Sequence, residues 1–387
     1  MKIEWFYTTY FKLFFKSMLL CSTCLAILAS TLFIYTKWAE TAGYNVISEI
    51  GDLPYVRRIF MTDRFWQFVG EIVSHADWQE IPWAKSDEVF KTTWDFNNQV
   101  MLSKKMFIPT EMFGKVKYRY HPDLGIYNLV MWSGLHFQKF SIVARPEITE
   151  SLNKYKQDIS RHTYFVTDKH GFKKTSEPYN PEHPTILFGG DSFTEGLWVS
   201  SEETFVSLFG QKLRGQNVSV NMVNMGVNGY SALETAWMIE TYAPGLNPKM
   251  IVINLFPNDV HGDFIKVIKG EEDFEPNYKQ MFQYLERIRT YCTTMGIQFV
   301  VAVIPSKEQI SVMKEYGVFQ DRVKLWCDEK EVPFADPRAY FNTFDWEQLY
   351  FTWDPHFSPL GHKHYSDFLY EFTQTMISNE FQPDALN

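Results

Sequence analysis

Apolar positions follow two different rhythms along this chain. From Thr185 onward, short apolar runs of strand length alternate with stretches of helical period, the pattern of βαβ units that build a parallel sheet. Residues 185–188, 218–224, 250–255, 299–304 and 332–335 read as strands. Helical stretches lie near 203–213, 232–242, 278–295 and 308–330. A last helix starts near Pro359, where proline suits a first turn, and runs to about residue 377. The charged segment 261–276 lacks a clear period and reads as a surface excursion over the top edge of the sheet.

Upstream the rhythm is less regular. Residues 37–160 show mixed helical and irregular patterning, with no repeat and no low-complexity tract. Phe65, Phe68, Val69, Ile72 and Val73 recur at helical spacing and predict a helix over 63–75. YHPDLGIYN (120–128) and VTDKHGFKK (166–174) read as turn-rich lead-ins to the main domain. Further back, residues 17–36 carry no charge, a length that suits one membrane-spanning helix, and Lys2, Lys12 and Lys16 precede it. The positive-inside rule then leaves the amino terminus in the cytoplasm and the rest of the chain outside. Ala26 and Ala29 offer a poor site for signal-peptide cleavage; because the run continues through Leu32, Phe33, Ile34 and Tyr35, an uncleaved anchor is the preferred reading. No lipoprotein pattern precedes Cys24. The expected organisation is an anchor over 1–36, an aromatic-rich accessory region over 37–160 and an α/β domain over 161–387.

A net charge of -9 and a pI near 5.6 argue against nucleic acid bound through a broad basic face. Trp66, Trp78, Trp83, Trp94 and Trp132 crowd the accessory region and read as packing of a layer in preference to a carbohydrate-stacking platform. Cys21 and Cys24 have CxxC spacing but lie inside the apolar segment; Cys292 and Cys327 either pair or are simply buried in helices. His362 and His364 do not share a helix face, no metal-ligand spacing stands out, and no cofactor is implied.

The chemistry centres on TILFGGDSFTEG, residues 185–196. A buried strand stops at two glycines and presents Ser192 just before a helix, at the sheet edge where α/β folds bind ligands. Free N–H groups at that helix start would face charge developing near the hydroxyl, a geometry suited to acyl transfer. Three later stretches fall where strands end or near the carboxyl terminus: NMGVNGYS with Gly226, Asn228 and Gly229; FPNDV with Asn258 and Asp259; and TWDPHFSPLGH with Asp354 and His356. Each alone is ordinary turn chemistry, but together with Ser192 they supply the parts that ester hydrolysis needs.

In their order these stretches resemble the SGNH, or GDSL-type, hydrolase family over roughly residues 160–387. GGDS at 189–192, the glycine of NGYS at 229, PND at 257–259 and DPH at 354–356 look like its first, second, third and fifth blocks. The resemblance implies a flavodoxin-like three-layer α/β/α sandwich, with Ser192 as nucleophile and His356 as general base. It also implies an oxyanion hole formed by the N–H groups of Ser192 and Gly229 and the amide of Asn258. The chemistry agrees: a serine hydroxyl needs an adjacent imidazole to take its proton, and an asparagine amide donates to an oxyanion without carrying charge. Two departures stand out. The family's aspartate precedes its histidine by three residues, a position held here by Trp353, while Asp354 lies two before His356; Asp336 is the reserve partner. Phe256 replaces the common glycine of the third block, which bears on substrate access beside Asn258. Lys307, after the fourth strand, reads as a solvated first-turn lysine in preference to a contact for an anionic or sugar-linked substrate.

The expectation is a membrane-anchored, extracytoplasmic serine esterase that removes a small acyl group such as acetate from an envelope carbohydrate or lipid through an acyl-serine intermediate. Two alternatives stand beside it. An O-acyltransferase would use the same serine but form products only with a glycan acceptor. A noncatalytic envelope-binding or assembly protein would keep the fold yet never take a fluorophosphonate label.

Overall fold

Strands appear where the sequence shows no clear period. In the computed structural model, which describes residues 67, 71, 94–95, 100–102, 106–132, 137–261, 263–271 and 274–381, the accessory region contains β1 (Trp94–Asp95), β2 (Val100–Leu102), β3 (Phe107–Met112), β4 (Lys115–Tyr120), β5 (Gly125–Trp132) and β6 (Phe137–Val143), then helix α1 (Pro146–Lys154) and β7 (Ile159–Val166). Strands β3 and β4 form a hairpin, and the others a sheet of order β1-β2-β6-β5-β7. The reason for the missed period lies in β5. Leu129 and Met131 pack with Ile148, Leu152 and Tyr155 around α1, while Val130 packs with Leu197, Trp198, Val199 and Phe351 of the following domain. A strand buried on both faces has no polar face to mark its period of two.

The membrane segment at 17–36 and the cysteines at 21 and 24 lie outside the described residues, as does the predicted helix at 63–75 except Gln67 and Glu71, which are helical. Trp66, Trp78 and Trp83 lie outside them as well. The described residues all belong to one compact unit that begins at Phe60, and no helix among them is long and apolar enough to cross a membrane.

The second layer follows the βαβ pattern. Its strands are β8 (Thr185–Gly189), β9 (Asn221–Asn224), β10 (Pro248–Leu255), β11 (Gln298–Val303) and β12 (Phe334–Ala335), all parallel, in the order β12-β11-β10-β8-β9. Counted within this sheet that is the 2-1-3-4-5 order of doubly wound folds. The helices are α2 (Ser192–Glu195), α3 (Phe205–Gly215), α4 (Ala232–Tyr242), α5 (Phe264–Lys269), α6 (Glu275–Met295), α7 (Lys307–Ile310), α8 (Val318–Glu329), α9 (Arg338–Phe341), α10 (Trp346–Leu349) and α11 (Pro359–Glu380). Alternate strand residues face opposite helical layers. Leu187, Ile251, Ile253 and Val301 share a core with α4, α6 and α8, whereas Ile186, Phe188, Val252 and Val300 share one with α3 and α11.

The helix expected over 232–242 is α4, and the structure shows Ser231 and Glu234 forming a capping box at its start. The sequence does not foresee the break in the stretch 308–330, which is two helices, α7 and α8. A capping box from Ser306 to Gln309 starts α7. Gln309 then donates to the Tyr316 carbonyl at 2.9 Å and to Gln320 at 2.8 Å, stapling the turn that ends it. The excursion over 261–276 holds α5, capped by Asp263.

Candidate active site

Strand β8 is buried throughout and delivers the nucleophile position. At Gly190, where φ is +154°, a Cβ would meet the Asn254 carbonyl at 2.7 Å, so the turn beyond the strand admits only glycine without a shift. Asp191 caps α2 by accepting from the Phe193 N–H at 2.9 Å. Ser192 is the first residue of that helix, where the backbone N–H has no intrahelical acceptor. Its side chain is almost covered, with 5% of the residue exposed. Asn258 follows β10, the neighbour of β8 at the point where strand order reverses, so two of the blocks meet at the topological switch point.

His356 arrives on a loop between α10 and α11 that closes on itself: Tyr350 bridges Phe357, and the Phe351 N–H donates to the His356 carbonyl at 3.1 Å. His356 Nε2 lies 2.7 Å from Ser192 Oγ. Asp354 Oδ1 accepts from the His356 backbone N–H at 3.0 Å and also meets Nδ1 of its imidazole. The two-residue spacing therefore works because one carboxylate oxygen serves both the turn and the ring. Asp336 plays no such part: its carboxylate pairs with Arg338 at 2.8 Å. Phe193 lies against the imidazole with ring centroids 4.7 Å apart, and Phe256 packs against Phe193 at 4.7 Å. The phenylalanine that replaces the common glycine is thus buried in the wall behind Ser192 and His356.

The Asp354 carboxyl is pulled in two directions. Burial pushes it up, but the Lys139 ammonium and the His356 imidazole outweigh burial and hold it well below the ordinary carboxylate range. Lys139 Nζ sits 2.6 Å from Asp354 Oδ2.

On the oxyanion side, Gly229 occupies an exposed turn at φ +78°. The residue before it is fixed at both ends of its backbone: the Asn228 N–H donates to Glu195 Oε2 at 2.6 Å, and the Asn228 carbonyl accepts from the Tyr118 hydroxyl. Tyr120 also donates to Glu195, at 3.2 Å. Asn258 Nδ2 donates to Asp191 Oδ2 at 3.2 Å, which uses one of its two amide hydrogens. Burial pushes the Asp191 carboxyl up, and the Phe193 N–H works against it.

Several residues of this site carry no local signal in the sequence. Lys139, Tyr118 and Tyr120 come from the accessory region, Arg161 from β7 and Lys173 from the segment between β7 and β8. Lys173 is buried and donates to the Gly196 and Val199 carbonyls, each at 2.9 Å; burial lowers its ammonium, and burial raises the nearby Glu195 carboxyl. Asp191 and Glu195 lie inside GGDSFTEG, where an acidic residue on either side of the serine is a visible cue. Lys307 is not a solvated lysine: it donates to the Phe351 carbonyl at 2.9 Å, and burial lowers its ammonium. His362 is buried and accepts the Phe205 N–H at 3.3 Å, where α3 begins. Cys292 and Cys327 are unpaired and buried, which pushes both thiols up to about 12. Among the described residues no three His, Cys, Asp or Glu side chains gather to hold a metal ion.

No curated protein matches the sequence. Among solved structures, TesA is 14% identical over 50% of this chain and 99% of its own, with a TM-score of 0.40. The psychrotrophic esterase EstA from Pseudoalteromonas sp. is 15% identical over 50% of this chain and 99% of its own, with a TM-score of 0.39. A family 3 carbohydrate esterase from Clostridium thermocellum is 15% identical over 52% of this chain and all of its own, with a TM-score of 0.40. The family model described as GDSL-like Lipase/Acylhydrolase matches residues 188–364, a little under half of the chain, and spans Ser192, Asn258, Asp354 and His356. Over residues 188–364 the chain is therefore similar to the GDSL-like lipase/acylhydrolase family.

Proposed function

We propose that the reaction is hydrolysis of an acyl ester by Ser192, activated by His356 and Asp354. The observation that carries this reading is the line of contacts from Ser192 Oγ through the imidazole to the Asp354 carboxylate. In the first step His356 Nε2 takes the hydroxyl proton as Oγ attacks the carbonyl carbon, and Asp354 stabilises the imidazolium that results. The oxyanion would accept from the N–H groups of Ser192 and Gly229 and from the second amide hydrogen of Asn258. His356 then protonates the leaving alkoxide, and water activated by the same imidazole releases the acid.

The nearly covered hydroxyl favours a small acyl group such as acetate. The uncharged run at 17–36 behind three lysines favours a membrane anchor with the catalytic domain outside the cytoplasm, where envelope carbohydrate and lipid are the natural pool of esters. Hydrolysis of p-nitrophenyl acetate and of a long-chain p-nitrophenyl ester by the full chain tests the reading. Acetate is expected to be released faster, and Ser192→Ala to abolish release of both; equal rates from wild type and Ser192→Ala would refute it.

A further inference from the structure

The face of the first sheet that meets the catalytic loops carries one row of residues across its antiparallel strands β6, β5 and β7. Lys139 on β6 and Arg161 on β7 are both direct register partners of Val130 on β5, so the three side chains share a face. Val130 packs against Leu197, Trp198, Val199 and Phe351. Arg161 donates to the Trp198 carbonyl and to Glu203, the latter at 3.0 Å, and its guanidinium lies 5.1 Å from the centre of the Phe351 ring. Lys139 reaches Asp354, with 12% and 4% of the two side chains exposed. The carboxylate is thus gripped at both oxygens, Oδ1 by its own loop and Oδ2 by the other layer.

That grip matters for the reaction. A carboxylate orients an imidazole only while it is itself prevented from rotating, and a small misplacement of reacting groups costs far more rate than stability. Burial pushes the Asp354 carboxyl up, and the Lys139 ammonium opposes that push and favours the charged form. We propose that Lys139 is a positioning residue for the hydrolysis: its ammonium fixes Asp354, and through it the His356 ring against Ser192. This rests on the serine-hydrolase reading above.

Removing one partner of a buried ion pair leaves the other charge unpaired and costs stability, so the kcat of the folded Lys139→Met enzyme, read beside its melting transition, separates the two roles. With p-nitrophenyl acetate and the full chain, the kcat of the folded enzyme should fall about 10- to 100-fold with KM unchanged, while the melting temperature drops but a cooperative transition remains. Lys139→Arg should restore most of the loss. In an Asp354→Asn background, Lys139→Met should cost nothing further, because the effect passes through that carboxylate. Wild type is treated with a fluorophosphonate in parallel. If it labels at Ser192 while Lys139→Met keeps the wild-type kcat, the positioning role is overturned and the serine-hydrolase reading stands. If folded wild type neither labels nor hydrolyses the ester, both are overturned. Should Lys139→Met fail to fold, Lys139→Gln replaces it, and a wild-type kcat in that variant overturns the proposal equally.

Discussion

Strands β8 and β5 each lie one strand in from the edge of their sheets, and each is covered on both faces, but by different things. On β8 both covers are helices, and the strand reads as an unbroken apolar run that ends in the nucleophile turn. On β5 one cover is α1 and the other is the set of loops around Ser192 and Asp354, so its sequence mixes Asn128 and Tyr127 with Leu129, Val130 and Met131. The parallel layer carries the groups that would meet the ester. Residues outside that layer hold those groups in place: Lys139 of β6 on Asp354, Lys173 of the segment between β7 and β8 on the loop after Ser192, and Tyr118 of the β3–β4 hairpin on the turn before Gly229. A region can therefore take no direct part in a reaction and still decide how well the reacting parts are aimed.

The largest effect expected from breaking this comparison lies at the carboxylates. Asp354→Asn should lower kcat by about 10⁴-fold, the loss expected when an orienting carboxylate becomes an amide. Asp336→Asn, which only loosens a half-exposed pair with Arg338, should leave kcat unchanged and cost at most about 1 kcal/mol in a urea melt. Equal kinetics for the two variants would remove Asp354 from the account. Next comes Asn258→Ala, for which kcat should fall about 10²- to 10³-fold with little change in KM, as for loss of one oxyanion donor; a rise in KM alone would assign the amide to substrate binding instead. The smallest effect sharpens the contrast within β5 itself. Leu129→Ala, facing α1, should cost about 2–5 kcal/mol of stability and leave the kcat of the folded enzyme intact. Val130→Ala, one residue on and facing the catalytic loops, should cost less stability but lower kcat several-fold. Steady-state rates beside denaturant melts separate the two, and a reversed pattern would mean that the layer contributes mass and no alignment.

How much of this was legible in the sequence differs between the layers for physical reasons. Each strand and helix of the parallel layer packs chiefly through its own apolar pattern, so the periods of residues 185–335 locate the strands, and Pro359 locates the start of the last helix. Ser192, Asn258, Asp354 and His356 lie in short blocks whose residue types point to one chemistry, and the fold brings Ser192, His356 and Asp354 into contact. The first sheet offers no such local cue, because β5 lacks a polar face. Its contributions to the site are single polar side chains acting across long separations. Lys139 meets a partner more than two hundred residues away, and nothing in FQKFSIV distinguishes that lysine from an exposed one. Lys307 misled in the same way, since its acceptors are carbonyls on another loop.

The central claim is that the Ser192 hydroxyl is a nucleophile made reactive by His356, and peptide-level mass spectrometry after fluorophosphonate treatment of the full chain tests it most directly. The account predicts one adduct, on the peptide that contains Ser192, absent in Ser192→Ala and strongly slowed in His356→Ala. A folded wild-type chain that takes no adduct there, or labels as fast without the imidazole, would contradict it.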